Sequence, residues 1–364
     1  MNRFPLAVAF GLALLTFPAS AYAVIDPARA VAVGAAHRLE AAYVFPAPAR
    51  QAANLVRRNA AAGRYDGLRD DALADRLTRD LMAVLHDKHV QVNYQRAVLP
   101  PEGTSGAPSS QQPTFELRRD REFGYGVARI ALLRGNVGYL DLRFFAHPDA
   151  DTFTAIDAMV NTVAHADAVI LDLRRNGGGE PQTVARFLSH FFPPKTHLND
   201  FVGRGDGKPS IEESTYTTDV PGPRVIVPLY VLTSGDTFSG GEECAYDVQA
   251  QKRGIVIGTV TGGGANPGSS RRIDDHFEIF VPDRRARNPI TKTNWEGIGV
   301  LPDRKVAAKR ALAVAYGLAL YPKLSDTTLP PTYRSRLTRL RGKLDTMADS
   351  EIFELPGPSW YNLR

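Results

Sequence analysis

Residues 166–179 read ADAVILDLRRNGGG, and this stretch decides the fold. Its first part, ADAVILDLR (166–174), is a nearly continuous apolar run, which is typical of a strand buried on both faces of a sheet. The glycines at 177–179 remove Cβ atoms where the backbone turns sharply or lies close to a partner. The stretch therefore predicts a central strand that runs into a glycine loop.

Strand and helix patterns alternate on both sides of this stretch. Alternation of this kind predicts an α/β core with a mostly parallel sheet covered by helices, and functional residues in loops beyond the strand ends. The predicted strands are 137–145, 166–174, 225–234, 254–261 and 276–283, and residues 297–303 are expected to close the core. Before the core, Val90, Val92 and Tyr94 also alternate like a strand. The predicted helices are 153–163, 184–191, 239–253 and 307–321.

The first 23 residues have the layout of a cleavable secretory signal. Arg3 precedes an apolar run of roughly a dozen residues, too short for a membrane span of about 20, and small residues end at Ala23. No later segment is long and apolar enough to span a membrane. We therefore expect an exported protein, periplasmic or secreted, with no integral membrane segment once residues 1–23 are removed.

The remaining chain divides by pattern into four parts. Helical spacing, clearest at Leu73, Leu77, Leu81 and Leu85, predicts an N-terminal helical domain over 24–97. Residues 98–118 are rich in Pro, Gly and Ser and are interpreted as a linker or loop. A core over 119–325 and a C-terminal tail over 326–364 follow, and we expect the tail to pack on the surface.

Composition excludes several classes of function. The formal net charge is only +5, with no Lys/Arg block, so no nucleic-acid partner is expected. Cys244 is the one cysteine, which rules out an internal disulfide and a Cys-based metal site and suggests a buried packing residue. The glycine loop lacks the phosphate-binding patterns G-x-x-x-x-G-K-[ST] and G-x-G-x-x-G. We expect no cofactor and no metal.

The stretch TFSGGEE (237–243) carries a second strand-loop-helix junction. Ser239 and Glu242 fit a capping box, in which serine satisfies an amide at a helix start and glutamate reaches back. The same place also suits a nucleophile, because it offers exposure, the adjacent Gly240 amide and the positive end of the helix dipole. Local sequence does not separate the two interpretations.

Several motifs in order resemble those of the tail-specific, or C-terminal-processing, serine peptidases. The motifs are DAVILDLRRNGGG (167–179), TSGDTFSGGEE (233–243), IGTVTGGG (257–264) and WEGIGVLPD (295–303). The N-terminal AAYVFP and DKHVQV look most like the members similar to the interphotoreceptor retinoid-binding protein modules. The resemblance implies a helical N-terminal subdomain before a crotonase-like (ClpP-like) β/α core. Only about 40 residues separate Tyr94 from Val137, too few for the PDZ domain that many members insert.

The resemblance implies that Ser239 is the nucleophile, with Gly178 and Gly240 supplying oxyanion amides. The processing peptidases place a lysine base in a T-x-G-K-G stretch, where this chain reads Thr261-Gly262-Gly263-Gly264. Lys252 is excluded as a substitute, since it lies about 20 Å along the helix at 1.5 Å per residue. Lys292 remains an unsupported substitute.

Tricorn-type members of the family use a histidine and a glutamate instead. His89 and Glu296 stand at the matching positions, which implies a Ser-His-Glu arrangement in which the imidazole takes the hydroxyl proton. The alternatives are that His89 is a polar cap and that Glu296 holds a loop. His86, three residues before His89, could in principle share a metal with it, but no further ligand cluster supports this.

Two functions follow from the resemblance. The first is an exported serine peptidase that cleaves peptides or unfolded proteins through an acyl-enzyme. The second is a weak or inactive relative that binds a retinoid or another hydrophobic small ligand, suggested by the missing lysine. Retention of Ser239, His89 and Glu296 favours the peptidase.

Overall fold

The computed structural model describes residues 26–101, 112–205 and 208–354. The predicted signal 1–23, part of the predicted linker and the end of the tail lie outside these ranges. The helices are α1 (Pro27–Ala42), α2 (Pro46–Ala61), α3 (Asp70–Leu85), α4 (Gln112–Glu122), α5 (Ala150–Thr162), α6 (Pro181–Ser189), α7 (Gly240–Ala250), α8 (Ala308–Leu324), α9 (Pro331–Lys343) and α10 (Asp349–Phe353). Within the described ranges, no helix has the length and apolar character needed to cross a membrane.

The strands form one large sheet and two small ones. They are β1 (Gln91–Tyr94), β2 (Val127–Leu133), β3 (Val137–Leu142), β4 (Ala168–Asp172), β5 (His197–Gly203), β6 (Ser210–Tyr216), β7 (Leu229–Thr233), β8 (Ile255–Gly258), β9 (Gly268–Arg272), β10 (Phe277–Pro282), β11 (Arg284–Arg287) and β12 (Arg304–Lys305). The large sheet has the order β12-β8-β7-β4-β3-β2. All its neighbours are parallel except β2, which is antiparallel to β3 at the edge. The predicted α/β core with a mostly parallel sheet is confirmed.

Helices cover both faces of the large sheet. On β4, Val169 and Leu171 pack with α5, α6 and α7, whereas Ala168 and Ile170 pack with α8 and α9. Every position of this strand is therefore buried, which explains its continuous apolar run.

The described part of the C-terminal tail is helical and belongs to the core, although the sequence predicted only surface packing. Leu337, Leu340, Leu344 and Ile352 are buried in the cluster that includes β4 and α8. Asp349 at the start of α10 also pairs with Arg174, 2.7 Å away, just after β4. The tail thus closes one face of the large sheet.

A small antiparallel sheet joins the N-terminal helices to the core. α1, α2 and α3 pack around their own apolar cluster, which also includes Val92 of β1 and Ile279 of β10. These two residues are partners in the β1–β10 ladder. The ladder brings the segment after α3 against the core.

Some elements had no clear sequence signal. The edge strand β2 and the β11-β5-β6 sheet lie outside the predicted strands. Helix α4 occupies the end of the stretch interpreted as a linker. β5 (HLNDFVG) and β6 (SIEESTY) mix polar and apolar residues without a clear two-residue alternation, which leaves little periodicity to detect.

Candidate active site

Ser239 lies at the junction between β7 and α7. Its backbone has φ 50° and ψ −119°, in a sparsely populated region that costs about 1–3 kcal/mol and is held by its surroundings. The amide of the preceding Phe238 donates to the Asn176 carbonyl at 2.9 Å, which ties this turn to the glycine loop after β4. The strained turn and the loop beside it fix the direction of the serine side chain.

Glu242 holds the serine turn and the glycines of 261–264 together. Its carboxylate is fully buried and accepts from the amide of Ser239 at 2.9 Å, so the glutamate half of the predicted capping box is present. It also accepts from the Thr261 hydroxyl at 2.5 Å and from the Gly263 and Gly264 amides at 2.6 and 2.8 Å. Burial nevertheless raises the pKa of Glu242 above its ordinary value, because these hydrogen bonds only partly offset it.

His89 reaches Ser239 from the N-terminal part of the chain. Its Nε2 lies 3.1 Å from the Ser239 Oγ, which is hydrogen-bonding distance. The imidazole lies against the Phe238 ring, with centroids 4.7 Å apart, and Phe280 of β10 is 6.2 Å away. The β1–β10 ladder and these rings therefore place the imidazole at the hydroxyl.

Because Gly264 has no side chain, the imidazole of His89 has room beside it. A Cβ at this position would lie 2.7 Å from the His89 Cε1 and 2.3 Å from the Phe238 Cζ. Gly264 corresponds to the lysine of the T-x-G-K-G pattern, so the missing side chain and the histidine use the same volume. Among the hydrogen bonds and ion pairs of the described residues, none joins Lys292 to Ser239.

Two carboxylates lie on the far side of the imidazole. Glu296 accepts from the Ala265 amide at 2.6 Å through Oε2, while its buried Oε1 has no hydrogen-bond partner among the described residues. Burial, followed by the charge of Asp87, raises the pKa of Glu296 to about 7. Asp87 is 1% exposed, and its Oδ1 lies 3.7 Å from the His89 Nδ1.

The three side chains also have the composition of a cation site. Asp87, His89 and Glu296 each offer one ligand atom, and these atoms lie within 4.8 Å of one another. The His86–His89 pair considered from the sequence is not part of this group. Distance alone would allow the trio to hold a metal ion, but a histidine between a serine and carboxylates is equally the arrangement of a proton relay.

Of the two amides predicted to bind an oxyanion, Gly178 and Gly240, only that of Gly240 is free in the part of the chain that the structure describes. Gly178 packs directly on the Ser239 turn, since a Cβ there would lie 2.7 Å from the Ser239 Cβ. Its N–H, however, donates to the Asn176 Oδ1 at 2.9 Å and is therefore already used. Among the described residues, no hydrogen bond uses the N–H of Gly240 or that of Gly179, which follows Gly178 in the glycine loop. Gly179 rather than Gly178 therefore offers the second free amide beside Gly240.

Sequence reasoning missed Asp87 and the bridging role of Glu242. The spacing Asp87-Lys88-His89 was available in DKHVQV, but a carboxylate two residues from a histidine has no specific meaning until both side chains are known to face the same way. The sequence did not single out the free amide of Gly179, because three successive glycines offer no local sign of which amide is engaged.

The fold and site define a class: a hydrolase-type α/β core with a serine at a helix start, paired with an imidazole. Residues 136–306 match the family model described as peptidase family S41. This match covers somewhat less than half of the chain, and it supports a serine-type peptidase of the tail-specific kind.

Two solved structures with TM-scores of 0.50 or more share this fold, and a third is similar at a lower score. A candidate peptidase from Parabacteroides merdae has 18% identity and a TM-score of 0.56, over 80% of this chain and 96% of its own. A lipoprotein from Streptococcus agalactiae has 13% identity and a TM-score of 0.50, over 77% of this chain and 92% of its own. The photosystem II D1 C-terminal processing protease has 16% identity and a TM-score of 0.47, over 78% and 94%.

Proposed function

We propose that the protein hydrolyses peptide bonds through an acyl-enzyme formed on Ser239, with His89 as the general base. The supporting observation is the 3.1 Å contact between the His89 Nε2 and the Ser239 Oγ. A base must lie within about 2.6–3.2 Å of the group whose proton it takes, and this pair meets that condition.

The reaction follows from this contact. As the Ser239 Oγ attacks the carbonyl carbon, its proton passes to the His89 Nε2, and the carbonyl oxygen becomes an oxyanion. The free amides of Gly240 and Gly179 are the donors proposed for that oxyanion. His89 then protonates the leaving amine, and a water molecule activated by the same imidazole releases the acyl group.

Glu296 is proposed to stabilise the imidazolium form of His89. Its pKa of about 7 lies close to the working pH of a neutral peptidase, so the carboxyl is largely neutral below that pH and charged above it. Activity is therefore expected to increase as the pH rises through about 7.

We infer that the substrates are peptides or unfolded proteins met after export. The family match supports a peptide substrate. The arrangement of residues 1–23 supports export to the periplasm or the medium. Neither a nucleic acid nor a cofactor enters the proposal.

The decisive experiment is covalent labelling of the purified, folded chain with a fluorophosphonate probe, read by mass spectrometry. We expect one adduct on Ser239 and none in Ser239→Ala. His89→Gln should slow labelling by about 10²–10⁴-fold, the usual contribution of a general base. His86→Asn is the matched control: His86 is exposed and has a left-handed backbone that Asn tolerates, so its labelling should match the wild type.

Absence of a Ser239 adduct from folded wild-type protein would contradict the proposal. The binding function raised by the sequence would then be tested by fluorescence titration with retinol and a fatty acid. Saturable binding without labelling or peptide turnover would favour it.

A further inference from the structure

Asp87 is placed to act on both other members of the relay. Its Oδ1 accepts from the backbone amide of His89 at 3.0 Å and lies 3.7 Å from the Nδ1 of the same residue. Its Oδ2 accepts from the Tyr43 hydroxyl at 3.1 Å and from the Asn266 Nδ2 at 3.0 Å. The carboxylate is thus held by the end of α1 and by the loop after β8.

These contacts keep Asp87 charged although it is buried. Burial opposes ionisation, but the hydrogen bonds from His89 and Asn266 outweigh it and lower the pKa of this carboxyl. A fixed negative charge therefore faces the unpartnered Nδ1 side of His89.

Besides burial, the negative charge of Asp87 raises the pKa of Glu296. Its Oε1 is buried without a hydrogen-bond partner among the described residues and lies in the same cluster as Asp87 and the His89 Nδ1. Two carboxylates so close in a water-poor site do not both ionise easily. The groups that act electrostatically on Glu296 include Asp87, His89, Glu242 and Tyr43.

We propose that Asp87 is a positioning residue of the peptidase: it orients His89 from the Nδ1 side and places a second carboxylate beside Glu296. The inference rests on the proposed function and adds a second carboxylate to the arrangement predicted from the sequence. The two carboxylates then have different tasks. Asp87 is charged at every working pH and holds the imidazole. Glu296 becomes charged only near neutral pH, and the imidazolium form of His89 then has two anionic neighbours.

The test is the pH profile of kcat and kcat/KM for Asp87→Asn, which keeps the shape and an acceptor for the His89 amide but removes the charge. We expect kcat to fall at least about tenfold, with KM changing less than about twofold, because the loss concerns the transition state. The acid limb should move to lower pH by about one unit, since Glu296 loses a like charge nearby.

Tyr43→Phe is the matched control, because it removes one hydrogen bond to Asp87 and leaves the charge in place. Its acid limb should stay where the wild-type limb lies. An unmoved acid limb in Asp87→Asn would overturn the proposal and reduce Asp87 to a structural contact.

A second measurement does not depend on activity. NMR titration of ¹³C-labelled carboxyls, with the Glu296 signal assigned through Glu296→Gln, should show Glu296 titrating near neutral pH in the wild type and at lower pH in Asp87→Asn. If Asp87→Asn does not fold, the wild-type titration decides. Glu296 titrating near its ordinary value, or Asp87 titrating near neutral pH, would refute the proposal.

The two ideas fail separately. Lack of Ser239 labelling would remove the proposed hydrolysis while the NMR titration still reported the coupling of Asp87 and Glu296. Normal labelling with uncoupled carboxyls would keep the peptidase and remove the role of Asp87.

Discussion

At the scale of single residues, the site depends on the lack of a side chain at Gly264. Gly264 does not have a positive φ but has no room for a Cβ, since His89 and Phe238 fill that space. On the opposite side, the Trp295 indole donates to the Gly264 carbonyl at 2.7 Å and prevents the loop from retreating. Glycine is therefore required at position 264 because the imidazole occupies the space of a side chain, and not because of a left-handed backbone conformation.

Gly264→Ala should lower kcat/KM by about 100-fold, because displacement of a catalytic group by about 1 Å has that effect. The loss should appear equally in the rate of fluorophosphonate labelling of Ser239. Stability should change much less than activity if the imidazole simply moves away.

Gly235→Ala is the control for this change. Gly235 lies in the turn before Ser239, and a Cβ there would meet no atom within 4 Å. Its kinetics should stay within about twofold of wild type, by the mild effect expected of a substitution without contacts. Equal losses in both variants would show that the His89 contact is not what Gly264 protects.

At the scale of elements, α7, the helix that has Ser239 at its N-cap, carries a buried pair of acidic residues. Glu243 and Asp247, one turn apart, both accept from the Asn199 Nδ2, at 3.3 and 3.0 Å, and Asn288 donates to Asp247 at 3.0 Å. Burial raises the pKa of Glu243 to about 8, and burial together with the Glu243 charge raises that of Asp247. The helix that presents Ser239 is therefore most stable when this pair is protonated.

The pair predicts how stability depends on pH. Because the folded-state pKa of Glu243 is raised, its contribution is present below the ordinary glutamate value and is lost as the pH rises towards about 8. Glu243→Gln should remove this loss, which is on the order of a few kcal/mol. Urea unfolding between pH 5 and 9 should show a flatter dependence in the variant than in the wild type.

An exposed glutamate provides the comparison. Glu212 on β6 is exposed, and Glu212→Gln should leave the pH dependence of unfolding parallel to that of the wild type. If the pH dependence of unfolding of Glu243→Gln were also parallel to that of the wild type, the buried pair would not be the titrating group.

At the scale of the whole molecule, segments from the N-terminal and the C-terminal parts of the chain pack against the core that carries the large sheet. The β1–β10 ladder delivers His89 from the N-terminal helices. Helices α9 and α10 cover the opposite face, and Arg174, just after β4, binds both Asp172 and Asp349. The family match ends at residue 306, before these C-terminal helices begin.

Leu337→Ala in α9 should therefore destabilise the central sheet and not only the tail. A loss of about 2–5 kcal/mol is expected for a fully buried leucine. In hydrogen exchange, the amides of β4 and β7 should lose protection together with those of α9, as in one cooperative unit.

Ser335→Ala, on the exposed side of the same helix, is the control and should stay within about 0.5 kcal/mol of wild type. Loss of protection confined to α9 and α10 in Leu337→Ala would mean that the tail unfolds independently of the sheet.

Taken alone, the sequence determined the local structure and the class of the protein. The apolar run of β4 and the spacing of α3, α5 and α8 gave their elements within a few residues, because periodicity and burial act over neighbouring positions. Motif order indicated the peptidase family and singled out Ser239. The edge strand β2 and the small β11-β5-β6 sheet were not predicted, since their pairing partners rather than a residue pattern of their own define them.

Only the tertiary structure decided the site. Ser239 and His89 are 150 residues apart, and their 3.1 Å contact depends on the register of the β1–β10 ladder and on the empty space at Gly264. The same holds for Asp87, which gains its partners Tyr43 and Asn266 from two other segments, and for Gly178, whose amide is taken by Asn176. Such contacts depend on where separate segments meet, and no local pattern of residues specifies that.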